Sequence, residues 1–271
     1  LDPILIFGWG PVPAMGLEGA ALATCIGRSI GVGMQVWVLR RGAQHIRVTR
    51  EQIRFRPALM RRVLRTSLGG IGQYLIGTAS WIGLVRIVSE FGSEAVAGYT
   101  IAVRIFMFTL LPSWGLANAT ATLVGQNLGA GQPERAERSV WATGAVNMAF
   151  LGVVSLVYVL CSEYLVRIFT ENPAVVAAGA ECLRIIAYGY LIYAWGIVMP
   201  QAFNGAGDTL TPTKINLCCF WFFEIPLAYL LALVIGFGAS GVYWAIVAAE
   251  TAAALVAITL FRGGRWKEMQ V

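Results

Sequence analysis

Glu224 stands in the run Leu217-Cys218-Cys219-Phe220-Trp221-Phe222-Phe223-Glu224-Ile225-Pro226, and Glu250 in Ala248-Ala249-Glu250-Thr251-Ala252. A carboxylate in such apolar surroundings is costly unless it holds a proton, binds a cation or is paired, so each is a candidate for ion coupling. Glu224 also lies two residues before Pro226, whose missing N–H frees a carbonyl and loosens a helix. Charge and bending are therefore neighbours in the chain. Arg28 and Arg104 fall within apolar stretches as well. They offer a plainer role, in which Glu224 or Glu250 pairs with Arg28 or Arg104 as a structural ion pair.

Other chemistry is poorly supported. The single His45 sits in an arginine-rich segment, and the cysteines (Cys25, Cys161, Cys182, Cys218, Cys219) show no CxxC spacing. Neither a metal site nor a disulfide framework is expected from that pattern. The segments Asn127-Leu128-Gly129-Ala130-Gly131-Gln132-Pro133-Glu134 and Asn204-Gly205-Ala206-Gly207-Asp208-Thr209 are glycine-rich but have neither the Gly-Lys-Ser/Thr ending nor the upstream strand of a phosphate loop. They read as helix ends, with Pro133 opening the next helix. No HExxH and no Ser/His pairing lies within the apolar runs, so an enzyme is not expected.

The elements that carry these residues follow from composition. Hydrophobic residues make up 58% of the 271 and charged residues 13%, too little polar surface to cover a water-soluble domain. The apolar residues fall into spans at about 16–40, 67–89, 95–126, 135–169, 174–204, 212–235 and 241–261. Each is long enough to cross a bilayer at about 1.5 Å per residue. The fold class predicted is all-α, a polytopic transmembrane helical bundle.

Charge placement sets the expected orientation. Nine arginines lie from Arg40 to Arg65, and more bases follow at Arg135, Arg138, Lys214, Arg262, Arg265 and Lys267. The alternate loops at 91–94 and 236–240 carry none. Basic loops stay in the cytoplasm, which puts the N-terminal end of the chain outside and its C-terminus inside. The arginines lack an interleaved aromatic platform, so nucleic acid is not an expected partner. Within the basic segment, 56–65 has helical apolar spacing and suits a short helix on the anionic leaflet. The chain begins Leu1-Asp2-Pro3, shows no signal-peptide pattern and has an odd span count, and it reads as the C-terminal part of a longer protein.

Taken in order, a set of segments resembles the multidrug and toxic compound extrusion (MATE) transporters. They are Leu1-Asp2-Pro3-Ile4-Leu5-Ile6-Phe7-Gly8, Gly19-Ala20-Ala21-Leu22-Ala23-Thr24, Ile101-Ala102-Val103-Arg104-Ile105, Leu123 to Gly131, Gln201 to Thr209, and Pro226-Leu227-Ala228-Tyr229. The resemblance implies two six-helix lobes around one central cavity. Residues 1–40 would be a pre-span loop and the final helix of the first lobe. Residues 41–66 would be the cytoplasmic interlobe loop, and 67–271 the second six-helix lobe with a short tail. The rest of the first lobe would be a partner supplied by the parent chain. In the family's sodium-coupled branch, second-lobe carboxylates occupy positions that align with Gly77 and Tyr193. That site is therefore not expected here, and protons are favoured over Na+ as the coupling ion.

The function implied is a secondary antiporter that exports organic cations, drugs or metabolites in exchange for H+ or Na+, without a cofactor. Aromatic and neutral polar residues suit such substrates through stacking and cation–π contact. The cavity candidates are Gln73, Tyr74, Trp81, Trp114, Asn118, Tyr193 and Trp195, with lipid-facing packing the plainer role for Trp81 and Trp244. Gln73 and Asn118 are expected to face the interior, because amides in hydrocarbon need partners. Pro112, Pro200 and Pro226 are candidate hinges. A lipid-linked oligosaccharide flippase is the alternative, and it would need several cationic residues to meet a diphosphate. The expected location is a prokaryotic plasma membrane, with the lipid bilayer as surroundings.

Overall fold

The computed structural model describes residues 1–9, 13–41 and 56–268. The readings made for His45 and for the arginines at 47, 50 and 54 lie outside the described residues. Among the described residues seven helices are long and apolar enough to cross a membrane, at Gly16–Arg41, Ser67–Ser89, Ser93–Gly129, Pro133–Arg167, Pro173–Gly205, Leu210–Val234 and Ala239–Arg262. The chain is an all-α integral membrane protein. It forms two compact units, Leu1–Arg61 and Arg62–Val271, and the division falls inside the basic segment.

In the smaller unit a short helix α1 (Asp2–Phe7) packs on α2 (Gly16–Arg41). Gly19 allows the approach, since a Cβ there would overlap the backbone of Leu5. Met15 N–H then donates to Leu5 O at 3.0 Å. Near the other end of α2, the Arg41 guanidinium covers the Trp37 ring at 4.0 Å.

The short helix expected over 56–65 is not a separate element. It is the opening of α3 (Pro57–Ser89), which continues without a break into the second span. Pro57 starts the helix, and no glycine or proline interrupts residues 58–68.

The larger unit is built around α6 (Pro173–Gly205), the most buried of the spans. It packs against α4 (Ser93–Gly129), α5 (Pro133–Arg167) and α9 (Ala239–Arg262). Lipid tails supply no hydrophobic drive for helices to associate, so close van der Waals approach must do it. Glycines provide that approach. A Cβ at Gly98 on α4 would lie 2.7 Å from Gly179 N and 2.9 Å from Val175 O on α6. Gly205 similarly seats on the Ala121 backbone, and Gly144 of α5 receives the Trp195 ring. Two of the buried polar side chains are matched to each other and to α6: Ser113 Oγ–H donates to Asn147 Oδ1 at 2.6 Å, and Asn147 Nδ2–H donates to Ala194 O at 2.9 Å.

The helix ends follow the glycine and proline signals of the sequence. Gly131 and Gly207 take φ of 69° and 84° just beyond α4 and α6, a conformation that favours glycine. Pro133 and Pro173 open α5 and α6, and Asn172 caps α6 by accepting from Ala174 N–H at 3.0 Å. The basic tail is not a loose extension. Trp266 is buried, stacks on Phe261 at 4.6 Å and donates its indole N–H to Phe261 O at 2.9 Å, while Lys267 pairs with Glu137 of α5.

The sixth span departs from a regular helix. It runs as α7 (Leu210–Asn216), a π-helical stretch Leu217–Glu224, α8 (Ile225–Tyr229) and a second π-helical stretch Leu230–Val234. The bend anticipated at Pro226 is thus a pair of widened turns on either side of α8. Ile225 N–H donates to Phe220 O, five residues back. Proline has no N–H to offer, so a wider bonding pattern redistributes the carbonyls of the preceding turn. By contrast, α4 runs unbroken through Pro112 and α6 through Pro200.

Candidate functional site

Helices α3, α4, α6 and α9 and the first π-helical stretch line a half-open cavity of about 190 Å³ within the larger unit. From α3 come Gly77, Ser80, Trp81 and Leu84, spaced one turn apart along one face. From α4 come Tyr99 and Trp114, from α6 Tyr190 and Tyr193, and from the sixth span Phe220. Glu224 and Glu250 reach the same space from the sixth span and α9. No lysine, arginine or histidine is among the described residues that line it. The site is an aromatic chamber holding two carboxylates.

Glu224 is 4% exposed and accepts the Ser80 Oγ–H at 2.7 Å. The same Ser80 oxygen lies 3.3 Å from Phe220 O. Glu250, half-buried, lines the same chamber from α9. The ion pairs among the described residues are Arg86–Glu90, Arg184–Glu163 and Lys267–Glu137. The anticipated structural pair of Glu224 or Glu250 with Arg104 is therefore not formed. Arg104 is exposed and lines a different groove, between α4 and α5. Arg28 is exposed on α2, in the other unit.

The wall formed by α3 is attached by a ladder of polar contacts. Thr213 Oγ1–H lies 3.0 Å from Gly69 O, and Gln73 Nε2–H donates to Asn204 Oδ1 and Thr209 O, both at 3.1 Å. Trp221 Nε1–H donates to Ile76 O at 3.2 Å, and Ser80 reaches Glu224. Residues 69, 73, 76 and 80 repeat at helical spacing, so one face of α3 presents every rung.

This geometry sorts the expected cavity residues. Trp114 and Tyr193 line the chamber, and so does Trp81, for which lipid-facing packing was the plainer expectation. Gln73 does not; its amide is used in the ladder, a turn beyond the chamber. Tyr74 also lies a turn beyond Gly77 and is 82% exposed. Asn118, one turn past Trp114, is exposed rather than interior, and Trp195 is spent filling the space left by Gly144. The sequence reading missed Ser80, Tyr99, Tyr190 and Phe220. The stripe Gly77-Ser80-Trp81-Leu84 was its best chance of finding the first.

The family model for MatE matches residues 71–230, which include most of the chamber. The chain belongs to the MatE family. Among curated MatE relatives, the probable multidrug resistance protein NorM of Thermotoga maritima is 26% identical over 278 residues, covering 100% of this chain and 58% of the relative. The corresponding protein of Caulobacter vibrioides is 28% identical over 265 residues, covering 96% of this chain and 55% of the relative. The chain thus spans somewhat over half the length of these MatE relatives. Among solved structures, the MATE transporter ClbM in complex with Rb+ superposes with a TM-score of 0.82 at 25% identity, over 100% of this chain and 60% of that one. An outward-facing multidrug resistance MATE family transporter of the MOP superfamily gives 0.89 at 21% identity, again over 100% and 60%, a likeness of fold. Gly77 and Tyr193, where the sodium-coupled branch was expected to carry carboxylates, both border the MatE chamber described above.

Proposed function

We propose that this chain is part of a secondary antiporter that exports organic cations, drugs or metabolites in exchange for H+ or Na+, with the chamber as its coupling site. The observation that carries the reading is the joint presence of Glu224 and Glu250 in an aromatic chamber without a basic residue among its described lining. Two carboxylates in an apolar space are stable together only with a proton or a cation between them. Aromatic faces accept organic cations by the same electrostatics. A diphosphate would be repelled there, which disfavours the flippase alternative. The Rb+ complex of the similar transporter ClbM supports attention to monovalent cations.

Ser80 gives Glu224 a way to work in two charge states. Ionised, Glu224 accepts the Ser80 hydroxyl hydrogen, as the 2.7 Å contact allows. Protonated, the acid donates to Ser80 Oγ, and the serine hydrogen turns to Phe220 O, 3.3 Å away. Proton uptake would then shift a bond from the Glu224 side chain to the backbone of the π-helical stretch. That couples charge to the least regular helix of the unit, around which the lobes of such a transporter would rock. Pro226 is the proposed hinge, with Pro112 and Pro200 in supporting roles. The proposed orientation keeps the 41–66 segment and the C-terminus in the cytoplasm, following the positive residues.

Proteoliposomes containing the full-length protein and preloaded with ethidium test this reading. An imposed proton or Na+ gradient should drive ethidium movement, and Glu224→Gln should abolish the response to the coupling ion. Absence of movement under either gradient would contradict the antiporter reading.

A further inference from the structure

A second concavity lies in the larger unit, between α4 and α5. It has a volume of about 470 Å³ and is walled by Phe108, Val153, Val157, Ile168 and Phe169, with Arg104 on its rim. The two hydroxyls of its floor are already engaged. Thr109 Oγ1 and Tyr158 Oη lie 2.6 Å apart, and they reach Phe106 O at 2.9 Å and Ile105 O at 3.2 Å. The floor therefore offers no free polar group to a water-soluble ligand, and the walls are hydrocarbon. Arg104 is the cationic group of this groove. Arg86 and Arg184 have carboxylate partners at 3.3 and 2.8 Å, whereas Arg104 has none among the described residues.

We propose that this groove holds a phospholipid, with one acyl chain along Val153 and Val157 and the phosphate at Arg104. The shape and the charge point to the same occupant. An apolar channel between two membrane-spanning helices suits an acyl chain, and a guanidinium without a carboxylate partner in such a span is stabilised by a phosphate. A guanidinium also matches phosphate oxygens two at a time, which an ammonium cannot do. The site is separate from the two-carboxylate chamber, so it stands whatever ion or substrate the chamber takes.

The test uses full-length protein in vesicles of phosphatidylethanolamine containing phosphatidylglycerol with a photoreactive acyl chain. Crosslinked peptides are mapped by mass spectrometry, with the exposed face at Leu255–Leu260 as the reference for ordinary lipid contact. Labelling within 153–169 should exceed that reference at least fivefold. Arg104→Gln should bring it down to the reference, and Arg104→Lys should retain an intermediate level. Val153→Trp, which fills the groove from an exposed position, should remove the labelling with Arg104 intact. Labelling of 153–169 no stronger than at the reference, or unchanged in Arg104→Gln, would overturn the proposal.

Discussion

The seam between α4 and α6 relies on glycine-to-backbone packing, and the wall formed by α3 and the sixth span adds a ladder of side-chain hydrogen bonds. At the seam, glycine meets backbone: Gly98 against Gly179 and Val175, Gly205 against Ala121. At the wall, side-chain hydrogen bonds join the elements through Thr213, Gln73, Trp221 and Ser80. Close packing has one good solution and resists displacement. Hydrogen bonds of the wall can be exchanged one at a time, each contributing about 1 kcal/mol. The carboxylate Glu224 lies on the exchangeable side. The lesson is that the unit has a fixed frame and an adjustable face, and the chamber lies between them.

Substitutions that attack the two sides should separate accordingly. Gly98→Val should have the largest effect, a loss of about 4 kcal/mol or failure to fold, because the obstacles are backbone atoms. Thermal melting of the detergent-solubilised full-length protein measures it, and a melting point unchanged within a degree would dissolve the distinction. Glu224→Gln should leave that melting point nearly intact while lowering gradient-driven efflux at least tenfold. Ser80→Ala should weaken efflux by a smaller factor, about fivefold, corresponding to one hydrogen bond of about 1 kcal/mol; loss equal to Glu224→Gln would show that Ser80 does more than hold the carboxylate. Asn118→Ala should change efflux least, by less than twofold, since Asn118 lies outside the chamber.

Much of the frame was legible in the sequence because its signals are local. Span length follows from each continuous apolar run, and the helix ends from one or two residues, the glycines after α4 and α6 and Pro133. Glu224, Glu250, Trp114 and Tyr193 were also found, since charge and aromaticity within an apolar run stand out. What local pattern could not show was which turn of each helix reaches the chamber. Gln73, Asn118 and Asn147 are all amides, yet only Asn147 is fully buried, held between Ser113 of α4 and Ala194 of α6. The π-helical stretches were hidden for a related reason. Pro226 announces a disturbance, but whether a helix bends or widens is decided by its neighbours, here Ser80 beside Phe220 and Glu224.

The central claim is that Glu224 and Glu250 exchange a proton or a metal cation for an organic one. It is tested most directly by adding ethidium to full-length protein in weakly buffered, Na+-free detergent solution while following a pH indicator. The account predicts proton release on binding with H+ as the coupling ion, and loss of that release in the Glu224→Gln, Glu250→Gln double variant. If Na+ is the coupling ion, added Na+ should instead weaken ethidium binding in the unaltered protein and not in the double variant. Ethidium binding that releases no protons and ignores Na+ would contradict it.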